Sequence, residues 1–272
     1  MKVIESLETT REREPVLAPL PPRELQSSRV TKTGRLRHFG EVLLQRLRGL
    51  PRTPREVNYS LQMLGVMRGL GWHRSLAKEL TLKDGSDPRP WYTYAALEWL
   101  TPLVKRSHKV FEFGGGYSTV WYSRHAGQVI TVEHNREWIE QVRLMVGDNV
   151  ALLHRSAAQD EPSAESDSLY SATIKQYAPK TFDIVVIDGR ERVRCAHAAP
   201  SRLRDDGIII FDNSDRPAYR PAIDYLHSLG LGRIDFCGFY PRLGIPGCTS
   251  VFSKQFNTRW TFENAPLVSR GV

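Results

Sequence analysis

Val110-Phe111-Glu112-Phe113-Gly114-Gly115-Gly116-Tyr117-Ser118-Thr119 is the stretch that decides the fold, together with Val129-Ile130-Thr131-Val132-Glu133-His134 downstream. It reads as a buried strand, a glycine turn, a helix, and a second strand closed by an acidic residue. An apolar run that breaks into glycines is how a parallel strand hands over to a helix whose N-terminus stays open to a ligand. Glycine suits that turn because a Cβ would collide with ligand or backbone. Glu133 lies roughly 20 residues beyond the first glycine, where a βαβ nucleotide site grips a ribose hydroxyl pair.

Towards the C-terminus, Arg136 to Met145 predicts a helix with Trp138, Ile139 and Val142 inward, and Val150 to Leu153 a short strand. Residues 154 to 180 are polar and serine-rich and read as a loop, with a helical stretch open between Ser168 and Tyr177. Phe182 to Ile187 is too apolar to be half exposed, so it belongs in mid-sheet and delivers Asp188-Gly189. A helix is expected from Val193 to Leu203, with Asp206-Gly207 as its stop. Ile208 to Phe211 then forms a strand that delivers Asp212-Asn213-Ser214-Asp215. Tyr219 to Leu229 is helical. Gly232 to Phe239 and Cys248 to Ser253 read as an antiparallel pair. The expected fold is α/β: a doubly wound, mostly parallel, Rossmann-like sheet with a terminal antiparallel hairpin. Ligands bind such sheets at the carboxyl ends of the strands, where Glu112, Glu133, Asp188 and Asp212-Asn213 all fall.

Before the glycine turn, residues 1–34 mix charge with proline and predict a flexible leader. Residues 35–90 predict an N-terminal helical extension. Within it, 35–50 form a basic amphipathic helix that either packs on its own domain or makes peripheral contact with an anionic membrane. Thr53-Pro54-Arg55-Glu56 carries a capping box, with Val57, Leu61, Leu64 and Met67 as the expected buried face. Trp91-Tyr92-Thr93-Tyr94 leads into a helix over Ala95 to Val104. Those aromatics either floor a ligand pocket or pack the helix on the sheet. The predicted site-bearing domain spans 91–256, with 257–272 as a tail.

The 272 residues, 40% hydrophobic, allow a sizeable core. The net charge of +8 is compatible with an anionic partner or with a solvated basic surface. Cys195, Cys237 and Cys248 are too few and scattered for a disulfide framework, which fits a reducing compartment. Met1 to Arg13 has no signal-peptide core, and no apolar run reaches the roughly 18–20 residues of a membrane span. A soluble, cytoplasmic protein is expected.

The glycine loop departs from the dinucleotide fingerprint, because the third glycine position holds Thr119. A carboxylate at Glu112 would repel a pyrophosphate but accept a hydrogen bond from an ammonium. The pattern therefore suits a zwitterionic, sulfonium-bearing nucleoside better than a nicotinamide dinucleotide. These residues, the strand-end acids Glu133 and Asp188, and the terminal hairpin resemble class I S-adenosylmethionine-dependent methyltransferases over about residues 90 to 255. Within that class, the glycine loop and Ile209-Ile210-Phe211-Asp212-Asn213 resemble a bacterial group. The resemblance implies that Glu112 and Gly114, Gly115 and Gly116 hold the methionine portion of S-adenosylmethionine, flanked by Ser118 and Thr119. Glu133 would take the ribose, His134 would lie near adenine, and Asp188 would join the cofactor set.

Asp188, Asp212 and Asn213 also resemble the Mg²⁺ ligand set of catechol-type O-methyltransferases, in which a hard cation lowers a hydroxyl's pKa. The same residues could instead cap the helices that follow them. Without metal, Asp212 or Asp215 is the candidate general base. Trp91, Tyr92, Tyr94 and Arg190 are the expected acceptor-pocket residues, bordered by the 154–180 segment and Tyr240 to Cys248. The expected partner is a small-molecule acceptor carrying a hydroxyl, with an amine open and homo-oligomerisation also open. Two other readings stand beside this one: a nicotinamide-dependent oxidoreductase on the same sheet, and a basic RNA- or membrane-binding adaptor. Nucleic acid is disfavoured, because the arginines of 34–50 interleave with leucines and lack an aromatic stacking platform.

Overall fold

The computed structural model describes residues 53–69, 88–157, 168–241 and 246–256. The expected leader, the basic helix over 35–50 and the 257–272 tail lie outside the described residues. The chain divides into two compact units, Met1–Ser60 and Leu61–Val272. Helix α1 spans Pro54–Gly69 and opens on the predicted capping box: Thr53 N–H donates to Glu56 Oε2 and Glu56 N–H to Thr53 Oγ1, both at 3.2 Å. Its expected buried face does not form as predicted. Met67 is buried, but Val57, Leu61 and Leu64 are exposed.

Seven strands make one sheet. They are β1 (Lys109–Phe113), β2 (Gln128–Glu133), β3 (Val150–His154), β4 (Phe182–Ile187), β5 (Leu203–Asp212), β6 (Gly232–Phe239) and β7 (Pro246–Ser253). Their spatial order is β3-β2-β1-β4-β5-β7-β6. β1 to β5 run parallel, and β7 lies antiparallel between β5 and β6. The chain starts in mid-sheet at β1, winds outward to β3, and returns to pair β4 with the other side of β1. That reversal puts the topological switch point at the carboxyl ends of β1 and β4, where a doubly wound sheet leaves a crevice.

Strand periodicity sorts the core onto two faces. Phe111, Phe113, Val185, Ile187, Ile209 and Phe211 join one apolar cluster, packed under helices α5 (Arg192–Ala198) and α6 (Arg220–Ser228). Val110, Val129, Ile184, Val186 and Ile210 join the other, under α2 (Tyr94–Leu100) and α3 (Tyr117–His125). Helix α4 (Arg136–Arg143) follows β2 and buries Ile139 and Val142. Thr93 caps α2, its hydroxyl accepting from Ala96 N–H at 3.4 Å.

Two expected boundaries move. Asp206-Gly207 does not stop a helix but lies inside β5, which begins at Leu203. Gly207 is needed there because a Cβ would sit 2.9 Å from the Asp183 carbonyl of the neighbouring strand. The helix after β4 is correspondingly shorter, α5 giving way to a 3₁₀ turn at Ala199–Ser201. The hairpin also brings together two of the scattered cysteines. Cys237 and Cys248 are direct cross-strand partners with Sγ atoms 3.0 Å apart, both free thiols. Among the described residues no helix is long and apolar enough to cross a membrane.

Candidate active site

A cleft of about 570 Å³ opens at the switch point, within the roughly 300–1,000 Å³ usual for small-molecule sites. Its wall carries Gly114, Gly115, Gly116, Ser118, Glu133, His134, Asp188, Arg190, Asp212, Asn213 and Trp91 from the sequence-derived set. It also carries Tyr240, from the segment expected at the acceptor pocket, and Tyr117, Asn135, Trp138, Gly189, Arg192, Arg216 and Tyr219, which that set lacked.

The glycine turn is tightly built. Gly114 has φ +93°, and a Cβ there would lie 2.5 Å from the Gly189 Cα. All three loop amides are already committed. Gly114 N–H donates to the Val132 carbonyl at 2.9 Å, Gly115 N–H to Glu133 Oε2 at 2.9 Å, and Gly116 N–H to Thr119 Oγ1 at 2.9 Å. A phosphate cradle needs such amides aimed at its ligand. This loop instead spends them on holding its own shape.

Glu133 ends β2 with its carboxylate pinned from two sides, since Oε1 accepts from Asn135 N–H at 2.7 Å. His134 Nδ1 lies 2.7 Å from the same oxygen. A carboxylate offers about four lone-pair directions, so each oxygen retains acceptor capacity towards the cleft. Trp138 donates its indole N–H to the Gly115 carbonyl at 2.7 Å. Its ring meets Tyr117 edge-on at 6.3 Å, and Tyr117 stacks on Trp91 at 6.0 Å. One aromatic run thus borders the glycine turn.

Glu112 is not on the cleft wall. It shares strand parity with Val110, so its side chain points into the α2/α3 face behind the glycine loop and is fully buried. Its Oε2 accepts hydroxyls from Thr119 and, at 2.8 Å, from Thr131, its cross-strand partner. Oε1 has no hydrogen-bond partner. Burial pushes this carboxyl up to about 7, against the opposing pull of hydrogen bonds from Ser118, Thr119 and Thr131. The direct ammonium contact expected of Glu112 is therefore replaced by a supporting role. Thr119 is likewise buried and faces Glu112 rather than a ligand.

Tyr92 is also corrected. It is fully buried, its hydroxyl 3.4 Å from that of Tyr122, so it packs α2 on the sheet. Tyr94 lines a separate depression with Trp121 and His125. Only Trp91 of this trio reaches the cleft. Asp215 does not line it either, and its Oδ1 accepts from Cys248 N–H at 3.1 Å.

The acidic edge is organised by Arg192, the first residue of α5. Its Nε donates to the Gly189 carbonyl at 3.0 Å. One terminal nitrogen donates to the Asp212 carbonyl and, at 3.2 Å, to Asn213 Oδ1; the other donates to the Asp188 carbonyl at 3.1 Å and to Asp188 Oδ1 at 2.8 Å. The Tyr219 ring covers the guanidinium at 5.4 Å. Asn213, at φ +53°, passes its amide protons to Asp212 Oδ2 at 2.8 Å and to the Tyr240 hydroxyl at 3.2 Å. Asp212 Oδ1 accepts from the Thr249 hydroxyl at 2.5 Å. Burial and the Asp188 charge hold the Asp212 carboxyl well above the usual carboxylate range. Burial also raises Asp188, against the pull of Arg192 and Arg216.

The expected Mg²⁺ set does not fit this geometry. Asp188 and Asn213 each turn a side-chain oxygen to the Arg192 guanidinium, and both Asp212 carboxylate oxygens are engaged by Asn213 and Thr249. Among the described residues no cluster of three or more His, Cys, Asp or Glu side chains is placed to hold a metal ion.

No protein-family model matches the chain, and no curated protein matches it in sequence. Solved structures do. A precorrin-6y C5,15-methyltransferase from Geobacter metallireducens is 15% identical, with a TM-score of 0.43, over 56% of this chain and 82% of its own. A methyltransferase from Geobacter sulfurreducens is 14% identical, with a TM-score of 0.43, over 80% of this chain and 97% of its own. A methyltransferase-like protein from Silicibacter pomeroyi is 20% identical, with a TM-score of 0.43, over 62% of this chain and 91% of its own. The sheet order and the antiparallel β7 make the fold Rossmann-like with an antiparallel edge. At this level of identity the chemistry has to be read from the cleft.

Proposed function

We propose that this protein is an S-adenosylmethionine-dependent methyltransferase acting on a small-molecule hydroxyl. The observation that carries the reading is the pairing of a glycine loop whose amides are all committed with a wall bearing Glu133, Asp188 and Asp212. With no glycine amide free for a pyrophosphate and Glu133 on the wall, the cleft suits a nucleoside better than a dinucleotide. That disfavours the nicotinamide reading on the same sheet.

The residues present fit the cofactor. Glu133 retains lone pairs for the two ribose hydroxyls, and Gly116 leaves open space beside Trp138 for a close backbone approach. Asp188 keeps one carboxylate oxygen beyond its Arg192 contact and takes the ammonium role first expected of Glu112. When bound, S-adenosylmethionine supplies an electrophilic methyl group on positive sulfur. In this reading Asp212, held by Thr249 and Asn213 at the cleft wall, receives the acceptor's proton, and its raised pKa supports the role of base once it is ionised. Trp91 and Tyr240 offer aromatic surface to the acceptor. Arg190 and Arg216 place cations on the same wall for an anionic group on it.

Calorimetry with S-adenosylhomocysteine tests the cofactor half. Micromolar binding that Glu133→Ala abolishes is expected, and no heat at millimolar ligand defeats the reading. A panel of phenols, catechols and amines, scored by methyl-donor consumption, tests the acceptor half.

A further inference from the structure

We infer that Arg192 is a built-in cation that takes the place of a divalent ion at the acidic edge, so that this edge binds no metal. The inference rests on the methyltransferase reading for its catalytic meaning, but its structural content stands alone. A guanidinium has five N–H donors. Here those donors meet five acceptors: the carbonyls of Gly189, Asp188 and Asp212, and the side-chain oxygens of Asp188 and Asn213. No donor remains for a substrate, so Arg192 is a positioning residue and not a catalytic one. Its site is also built to keep it. The side chain is buried and the Tyr219 ring lies over the guanidinium plane.

A hard divalent cation at this place would draw on the Asp188 carboxylate and the Asn213 side-chain oxygen, both of which the guanidinium already holds. The guanidinium pairs with the Asp188 carboxylate and fixes the Asp212 strand end through its backbone carbonyl. Sequence placement makes this possible. Arg192 lies four residues after Asp188, so once α5 begins, its side chain turns back over the strand end it has just left. The chain thereby supplies its own counter-ion.

Mn²⁺ titration of the full-length protein, followed by electron paramagnetic resonance, tests this. Wild type is expected to take up no stoichiometric Mn²⁺. Arg192→Ala vacates the cage and is expected to bind one Mn²⁺ per chain at least about tenfold more tightly than wild type, a gain removed by adding Asp188→Asn. Arg192→Lys keeps a charge in place and is expected to remain Mn²⁺-free. Stoichiometric Mn²⁺ on wild type that Asp188→Asn abolishes overturns the inference. So does a folded Arg192→Ala that gains none, with Arg192→Gln read in its place if the alanine variant does not fold. S-adenosylhomocysteine binding, measured on the same samples with and without chelator, separates the two ideas. Its absence in wild type defeats the cofactor reading while the Mn²⁺ result still decides the role of Arg192.

Discussion

Gly114 and Gly189 meet back to back: a Cβ on Gly114 would fall 2.5 Å from the Gly189 Cα, and one on Gly189 would fall 2.8 Å from the Gly114 Cα. The turns leaving β1 and β4 are therefore packed against each other at the floor of the cleft. Neither can acquire a side chain without separating the two strand ends.

Gly114→Ala, which also forces a residue with a side chain to φ +93°, is expected to cost about 1–3 kcal/mol in urea unfolding. Gly116→Ala is the contrast. Its Cβ would meet nothing nearer than Trp138 at 3.9 Å, so stability should stay within about 0.5 kcal/mol of wild type. Because Gly116 lines the cleft, S-adenosylhomocysteine affinity should fall all the same.

The buried Glu112 makes stability pH-dependent. Its carboxyl titrates near 7 in the folded chain against 4.5 as the ordinary value, so the folded state holds this proton more tightly than the unfolded one. This group's contribution then declines as pH rises from about 4.5 to about 7 and is level above that range. The difference amounts to about 3 kcal/mol at about 1.4 kcal/mol per pH unit. Glu112→Gln is expected to flatten that slope and to match or exceed wild-type stability on the alkaline side. Denaturation midpoints across the range check it.

Glu133→Ala removes the acceptor that fixes Gly115 and that is proposed to hold the ribose. Hydrogen bonds to a charged partner contribute about 1.5–3 kcal/mol, so affinity for S-adenosylhomocysteine should drop about 10- to 100-fold or more. Melting temperature should fall as well, because Gly115 and Asn135 lose their acceptor.

Asp212→Ala should separate chemistry from binding. Turnover of an identified hydroxyl acceptor is expected to fall at least about 100-fold, with cofactor affinity within about threefold of wild type. Comparable loss of both would move Asp212 into the cofactor set.

Much of the architecture is legible in the chain because apolar runs and glycine breaks are local signals. Phe182 to Ile187 can only be a mid-sheet strand, and the Tyr240 to Gly247 link fits a hairpin. The site is less legible, since it depends on facing as much as on position. Glu112 and Glu133 both sit at strand ends, yet Glu112 is one residue short of the end of β1 and turns beneath α3, whereas Glu133 closes β2 at the open rim. Tyr92 and Trp91 are neighbours, and one step of the backbone sends the first inward and the second to the cleft. Arg192 carried a readable signal, an arginine four residues after a strand-end aspartate at a helix start. Its bearing on the metal set emerges only when Asn213 and the Asp212 carbonyl are brought alongside. Asp206-Gly207 misleads because a glycine that serves strand packing has the same letter as one that ends a helix.

Thr249 binds two banks of the crevice into one piece. Its hydroxyl donates to Asp212 and accepts from Thr93 N–H at 3.0 Å, while the Thr93 hydroxyl donates to the Phe236 carbonyl at 2.9 Å. The segment bearing Trp91 is thus tied through one hydroxyl to the strand that carries the proposed base and through another to the hairpin beside it.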